Sequence, residues 1–377
     1  MDFEFTEDQA MLRDSVRRLI AREYTFERRQ TILESQHGFS AGMWSLLSQQ
    51  GIFALGLPED AGGYGGATEI MLVMEEIGRG LVLEPFMSTV VLGGGLIRAH
   101  GTVAQRAQLL PKIATGNCRV TLAHHEAGSR YVLDHVSTTA SRGKGSYLIN
   151  GSKAIVLDAP VADLLIVSAR DESAGGLSLF LLEPDTRGLK LSPYRTQDGR
   201  CAGDLTLENV KVPTAARLGS PGFALSALEQ AVDCALAALC AEAVGAMEAV
   251  NENTLRYLNT RRQFGQPIGR FQVLQHRMAD MFLMTTQARS MSYLATGRCL
   301  EPDRSERRRA LSAAKAYVGK AARFVGQQAV QLHGGMGMSA ELSISHYFKR
   351  LTMINATFGD VDHHVGAFSD LLRAQVS

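Results

Sequence analysis

Two carboxylates and two imidazoles stand together near the C-terminus, in Phe358-Gly359-Asp360-Val361-Asp362-His363-His364. A carboxylate beside imidazoles acts as a general base if burial tunes its pKa. The same residues also make a helix start. In that case Asp360 or Asp362 caps the helix, favoured by its dipole, and the histidines are solvated. Both readings stay open on the sequence. The Asp–His spacing matches no metal motif, so no metal is expected. The five cysteines, Cys118, Cys201, Cys234, Cys240 and Cys299, include no C-x-x-C pair. They read as free thiols of a reducing cytoplasm, and none has a neighbour that would activate it as a nucleophile.

The elements that must position these groups change in texture along the 377 residues. Thr6 and Gln9 have the spacing of a capping box, and Leu12, Val16, Leu19, Ile20 and Glu23 follow on one helical face. Ser40 is placed to cap a second helix carrying Met43, Trp44 and Leu47. More helix is expected from Thr68 to Gly78 and between Ser88 and Ile113, after a Gly-rich loop at Leu57–Gly66. From Gly116 to Pro213 the signals are short strands: Leu164–Ser168, Leu177–Leu182 and the alternating Leu205–Val212, with Asn150-Gly151 as a hairpin turn. Beyond Gly219 four long helical stretches are expected, at about 223–260, 270–298, 304–332 and 340–374. The fold class is therefore α+β: an N-terminal helical domain (1–115), a middle small β-barrel or sandwich domain (116–218) and a C-terminal four-helix bundle (219–377).

Composition bounds the function. The formal net charge is +1, so no global field draws nucleic acid or an anionic membrane. Arg304, Arg307, Arg308 and Arg309 are interleaved with acids and read as a solvated helix start. The acidic opening Met1-Asp2-Phe3-Glu4-Phe5 is no secretory signal. The apolar stretch Phe223–Val250 carries Glu229, Asp233, Glu242 and Glu248, and reads as a buried helix, not a membrane span. A cytoplasmic protein without membrane insertion is expected.

Three segments carry a resemblance. They are Leu57-Pro58-Glu59 with Gly62-Gly63 and Glu75-Glu76-Ile77-Gly78; Glu126-Ala127-Gly128-Ser129 with Leu148-Ile149-Asn150-Gly151-Ser152-Lys153; and Arg261-Arg262-Gln263-Phe264-Gly265 with Gln331-Leu332-His333-Gly334-Gly335-Met336-Gly337. In this order the chain resembles the acyl-CoA dehydrogenase family. The resemblance implies FAD as cofactor, an acyl-CoA thioester as substrate, and an electron-transfer flavoprotein as electron acceptor. It also implies a homo-oligomer or a hetero-oligomer with a homologous subunit, in which the flavin ring lies on one subunit's β-domain and a neighbour's bundle grips the rest.

Carried over residue by residue, the resemblance places Arg261, Phe264, Gln272, Gln331, Gly334 and Gly335 on the cofactor, with Gln275 along the same groove. Arginine's fork suits a pyrophosphate, and paired glycines let a backbone approach phosphate or ribose. Leu122, Ser129, Ile155 and Leu157 would face the flavin from the β-domain, and Ser129 and Asp233 the substrate; Ser129 also reads as an ordinary Gly-Ser turn. The chain departs from the family where chemistry is needed. Ala123 replaces a threonine, Ile155 the shielding tryptophan, and Leu157 the threonine near the flavin N5. Phe358 stands where the family usually keeps its glutamate base. Ala235 occupies the alternative base position, and Leu236 replaces an arginine near the substrate. Asp360, at a position where the family has a flavin-contacting threonine, is then the candidate catalytic residue, with Asp362 beside it. Two readings follow. One is an FAD-dependent dehydrogenase with an unusual base. The other is a non-catalytic partner subunit, like the small subunits of heteromeric acyl-CoA dehydrogenases, that completes the FAD site of a catalytic homologue.

Overall fold

The computed structural model describes residues 5–376. The first four residues, part of the acidic opening read above as no secretory signal, lie outside them. In chain order the elements are α1 (Glu7–Glu23), α2 (Phe26–Glu34), α3 (Ala41–Gln49), α4 (Ala67–Gly80), a π-helical stretch (Met87–Gly94), α5 (Gly95–His100) and α6 (Val103–Ala114). Then come β1 (Val120–Ala123), β2 (Thr139–Arg142), β3 (Ser146–Leu157), β4 (Leu164–Asp171), β5 (Gly176–Leu182), β6 (Leu189–Arg195), β7 (Cys201–Pro213) and β8 (Arg217–Leu218). The chain ends with α7 (Ala224–Thr260), β9 (Arg262–Gln263), β10 (Gln266–Pro267), α8 (Gln272–Arg298), α9 (Arg304–His333), α10 (Ser343–Ala356) and α11 (Val361–Val376).

The chain forms two compact units. The first, helical unit takes the residues up to Arg29, Ala67–Val82, and everything from Leu236. Its first helix starts as expected: the Thr6 hydroxyl accepts from the Gln9 N–H (3.2 Å) while the Gln9 side chain accepts from the Thr6 N–H (3.1 Å). Val16, Leu19 and Ile20 are buried. Helices α4 and α7 meet backbone to backbone, because a Cβ on Gly78 would collide with the Glu242 carbonyl and one on Gly245 with the Glu75 carbonyl. Glu242 of α7 then receives a two-pronged grip from Arg350 of α10, at 2.6 and 2.7 Å, with both side chains buried. Helix α7 is long and apolar enough to cross a membrane by composition, but 72% of its apolar window is buried inside the protein.

Two expectations for this unit are corrected. The last helical stretch is two helices, broken at Thr357–Asp360, where Phe358 (φ +56°) and Gly359 (φ +121°) leave helical geometry. Arg307 is not solvated: it is buried and donates to the Glu301 carbonyl at 2.6 Å, while Asp303 caps α9 by accepting from the Glu306 N–H at 2.9 Å.

The second unit takes Gln30–Gly66 and Leu83–Ala235. Ser40 caps α3 by accepting from the Met43 N–H (3.1 Å), and Trp44 stacks on Phe53 and donates to the Gly116 carbonyl. The eight strands form one mainly antiparallel sheet in the order β6-β7-β3-β2-β4-β5-β8, with β1 parallel to β4. Tyr147, Ile149, Leu165, Val167, Phe180, Leu205 and Val210 fill its core.

The Asn150-Gly151 pair is not a hairpin turn. β3 runs straight through it, with a register shift against β7 between Ile149 and Gly151. Asn150 accepts from the Asn209 N–H at 2.7 Å, and Gly151 (φ +147°) lies against Thr138 so closely that a Cβ would clash. The two residues form a bulge where a neighbouring segment crosses. The β2–β3 connection is instead closed by Gly143 N–H donating to the Ser146 carbonyl.

A buried polar hub that sequence reading missed holds the long excursion between β1 and β2. The Glu126 carboxylate accepts from Lys153 Nζ (2.7 Å), the Thr138 hydroxyl (2.6 Å), and the Ser137 and Thr138 N–H groups. Burial pushes the Glu126 carboxyl up, but the bonds from Lys153, Thr138 and Ser137 outweigh it and hold it at about 2. Lys153 also donates to Ser168, which contacts His124 Nδ1 at 2.9 Å. Replacing Lys153 by Met leaves Glu126 buried without its cation. We expect a loss of about 3–5 kcal/mol in urea unfolding; a loss near zero would show the hub to be dispensable.

In the helical unit, burial raises the Glu75 carboxyl from 4.5 to about 7, and Arg289 and Arg13 offset this only in part. Between those values the folded chain keeps a proton that the unfolded chain releases, so stability falls as pH rises from 4.5 to 7 and stays lower above. The difference is up to about 3 kcal/mol. Glu75→Gln is expected to match the parent near pH 4.5 and to melt higher at pH 8. Parallel melting curves across that range would contradict the burial assignment.

Candidate dinucleotide site

The residues expected to grip a cofactor lie at and just beyond the ends of α7 and α9, with Gln272 opening α8. After Thr260 the chain folds into the short β9–β10 hairpin. Its two turn residues, Phe264 (φ +53°) and Gly265 (φ +79°), are both left-handed, as a two-residue hairpin demands. Asparagine is the usual first residue of such a turn, and a phenylalanine there is strained. It is also 90% exposed, with only an edge-on contact to Phe271 (6.0 Å). An apolar ring held out on a strained backbone suits a binding surface. Arg261 and Gln272 are exposed. Gln275 is also exposed, but it donates to the Gly269 carbonyl and is engaged in its own loop.

At the end of α9, Gln331, Gly334 and Gly335 are exposed. Gly334 has φ +59°, and at neither glycine would a Cβ meet any atom within 4 Å. The open space beside this backbone suits a phosphate or ribose. The two helix ends are joined by Tyr257 and His333, whose rings stack at 4.4 Å and 28°. The structure thus brings Arg261–Phe264 and Gln331–Gly335 to one end of the helical unit.

The turn between α10 and α11 carries Phe358 and Asp360. Lys315, buried in α9, donates to the Asn355 and Gly359 carbonyls at 2.9 and 2.6 Å. Burial lowers its ammonium to about 8, and the Cys240 and Asp360 side chains raise it less. His364 Nε2 lies 3.2 Å from the Phe358 carbonyl, and burial drives this imidazole down to about 3, so it is neutral. Both histidine rings crowd Gly359, where a Cβ would clash. Asp360 accepts from the His363 N–H at 2.9 Å and caps α11. His363 is lowered by burial, against the pull of Asp360. Asp362 is exposed.

In the second unit, Leu122 lies on β1 and Leu157 ends β3, both half-buried. Ile155 sits in a second β3 bulge, between Lys153 and Val156, with φ +52° and 49% exposure. Its N–H donates to Asp204 Oδ1 (2.9 Å) and lies 3.1 Å from the Tyr194 hydroxyl, which itself donates to Asp204. The Leu157 carbonyl accepts from the Thr121 hydroxyl at 2.6 Å. Ser129 is buried, its hydroxyl bonded to both the N–H and the carbonyl of Glu126, so it closes its own turn. Asp233 is 1% exposed, with Ala235 and Leu236 also buried beside it on α7.

The two units differ in how their residues would suit FAD. The helical unit fits its phosphate half: an exposed guanidinium, an exposed ring and two unobstructed glycines. The strand-rich unit does not fit the polar edge of the ring. The Ile155 N–H is already engaged, and Leu157 offers no side-chain donor; a polar ring atom left unpaired there would cost about 1–3 kcal/mol.

Comparison with known proteins is consistent along the whole chain. Residues 6–117 match the acyl-CoA dehydrogenase N-terminal domain, 121–210 the middle domain and 225–365 the C-terminal domain. The chain is 30% identical to glutaryl-CoA dehydrogenase of Desulfococcus multivorans over 93% of this chain and 92% of that one. It is 28% identical to the caffeyl-CoA reductase-Etf complex subunit CarC of Acetobacterium woodii, over 92% and 93%. Among solved structures, a variant of the Tcur3481-Tcur3483 steroid ACAD superposes with a TM-score of 0.88 at 29% identity, covering 98% of this chain and 99% of that one. By fold and by these matches, the chain belongs to the acyl-CoA dehydrogenase family of FAD-dependent oxidoreductases.

Proposed function

We propose that this chain is a subunit of a heteromeric acyl-CoA dehydrogenase, one that completes the FAD site of a catalytic homologue and does not abstract the substrate proton itself. The observation that carries the reading is Phe358. It occupies the family's base position, in a turn held by Lys315 and His364, and a phenyl ring accepts no proton. Ala235 and Leu236 take the places of the alternative base and of the arginine that the family resemblance implies near the substrate, while Asp233 is kept and buried. The surface lent to a neighbour keeps its family residues, with Arg261, Phe264, Gln331, Gly334 and Gly335 all exposed.

In such a complex FAD, when bound, accepts a hydride from the β carbon of an acyl-CoA thioester. This chain's part is to hold the dinucleotide: Arg261 places a fork against the pyrophosphate, Gly334 and Gly335 open the backbone to it, and Phe264 packs beside the adenosine. Electrons would leave through an electron-transfer flavoprotein, in keeping with the CarC relative, named as a subunit of an Etf complex. The paired designation of the steroid ACAD relative is in keeping with a two-chain assembly. We assign Asp360 the capping role, because its carboxylate accepts from His363 N–H.

Purified alone, the chain is expected to carry FAD poorly and to reduce no dye with any acyl-CoA; full flavin occupancy with turnover would defeat the proposal. If the lone chain does turn over, Asp360→Asn decides the base: a fall of about 10²–10⁴-fold identifies it, and unchanged turnover excludes it. Within the complex, Arg261→Ala is expected to weaken FAD binding by about 10- to 100-fold, the cost of a charge-assisted bond. An unaltered FAD dissociation constant would refute the lent grip.

A further inference from the structure

The two cofactor-facing segments of the helical unit are far apart in sequence and belong to different helices. Something must fix the distance between them, since a pyrophosphate is gripped by both only if they stand in register. We propose that Tyr257 and His333 are the positioning pair for this grip, setting the end of α7 against the end of α9. The inference rests on the reading that Arg261 and Gly334–Gly335 hold FAD.

Four observations support it. The two rings meet between these helix ends, stacked at 4.4 Å with 28° between planes. His333 is buried, and its Nδ1 lies 2.8 Å from the Ala329 carbonyl one turn back, so Nδ1 carries the proton and the ring has one orientation. Burial also keeps this imidazole neutral by lowering its pKa, so the stack carries no charge at neutral pH. Each residue of the pair is joined, through its backbone or its Cβ, to a gripping segment. The Tyr257 carbonyl accepts from the Arg261 N–H at 2.8 Å, and the Arg261 carbonyl accepts from the Ile268 N–H at 2.9 Å, which closes the base of the hairpin carrying Phe264. On the other side His333 immediately precedes Gly334, and a Cβ on Gly337 would press on the Val330 backbone and the His333 Cβ, so the Gly-rich turn packs back against the base of the His333 side chain. The Tyr257 hydroxyl adds only a long contact to the His333 carbonyl, 3.5 Å, so the ring and not the hydroxyl does the positioning.

The test is made on the full-length chain, free and in its complex. Amide hydrogen exchange of the free chain is followed in residues 261–268 and 334–338 for Tyr257→Ala, His333→Ala and Tyr257→Phe. Each alanine variant is expected to speed exchange in both segments, and Tyr257→Phe, which keeps the ring, in neither. Loosening of only the segment next to the substituted residue, or of neither, overturns the pairing. In the complex, both alanine variants are expected to raise the FAD dissociation constant about tenfold, which Tyr257→Phe restores to the parent value. Arg261→Ala serves as the control for the underlying reading. If it weakens FAD and the Tyr257 and His333 variants do not, the positioning role is wrong. If Arg261→Ala has no effect either, the grip itself is wrong. Should Tyr257→Ala fail to fold, His333→Phe keeps a ring in the stack while losing the bond to Ala329 that orients it, and it is expected to bind FAD more tightly than His333→Ala; equal weakening in the two variants would overturn the positioning role.

Discussion

A dinucleotide longer than any single side chain can be held by a protein surface only if separate backbone segments are kept at a fixed distance. In the helical unit that constraint falls on one aromatic contact, Tyr257 against His333, between two helices of 37 and 30 residues. The proposed grip lies on either side of it: Arg261 and Phe264 on one side, Gln331, Gly334 and Gly335 on the other. The helices are themselves fixed further back. Gly78 and Gly245 let α4 approach α7, and Glu242 ties α7 to α10 through Arg350. Rigid elements upstream are what allow an exposed, strained turn at Phe264 to persist.

The chain divides its family inheritance unevenly. Where it would touch a neighbour's cofactor, the groups are present and open. Where, on the proposed reading, it would run chemistry, the base and the flavin-shielding positions are replaced, and two of the replacements are locked in place. Phe358 sits in a left-handed turn secured by Lys315 and His364, and Ile155 sits in a left-handed bulge secured by Asp204 and Tyr194. Both are bulky side chains on backbone that L-residues avoid, so the surrounding bonds hold these positions at a cost of order 1–3 kcal/mol each. Such investment fits surfaces with a defined shape, not remnants drifting free of constraint.

Much of this was legible in the sequence, because much of it is local. The Thr6–Gln9 capping box, the Ser40 cap, the alternation of Leu205–Val212 and the break at Gly334-Gly335 each depend on residues within a few positions of one another. What escaped depends on distant partners. Asn150-Gly151 has the composition of a hairpin turn, but Thr138 and Asn209 cross it and make it a bulge. The Glu126–Lys153 hub and the Tyr257–His333 stack join residues separated by dozens of positions, and nothing in the local pattern announces them. The interruption at Phe358 was missed because a phenylalanine carries no signal for positive φ; Gly359 beside it was the available clue. Exposure of Arg261 and burial of Asp233 likewise follow from packing, not from spacing.

The most direct test of the lent grip is photoaffinity labelling of the assembled complex with an FAD analogue carrying an azide on the adenine, followed by peptide mapping of both chains. The account predicts label on this chain within 257–275 or 331–338, with the flavin ring seated on the homologous chain. Label absent from this chain, or confined to its strand-rich unit around Ile155, would contradict it.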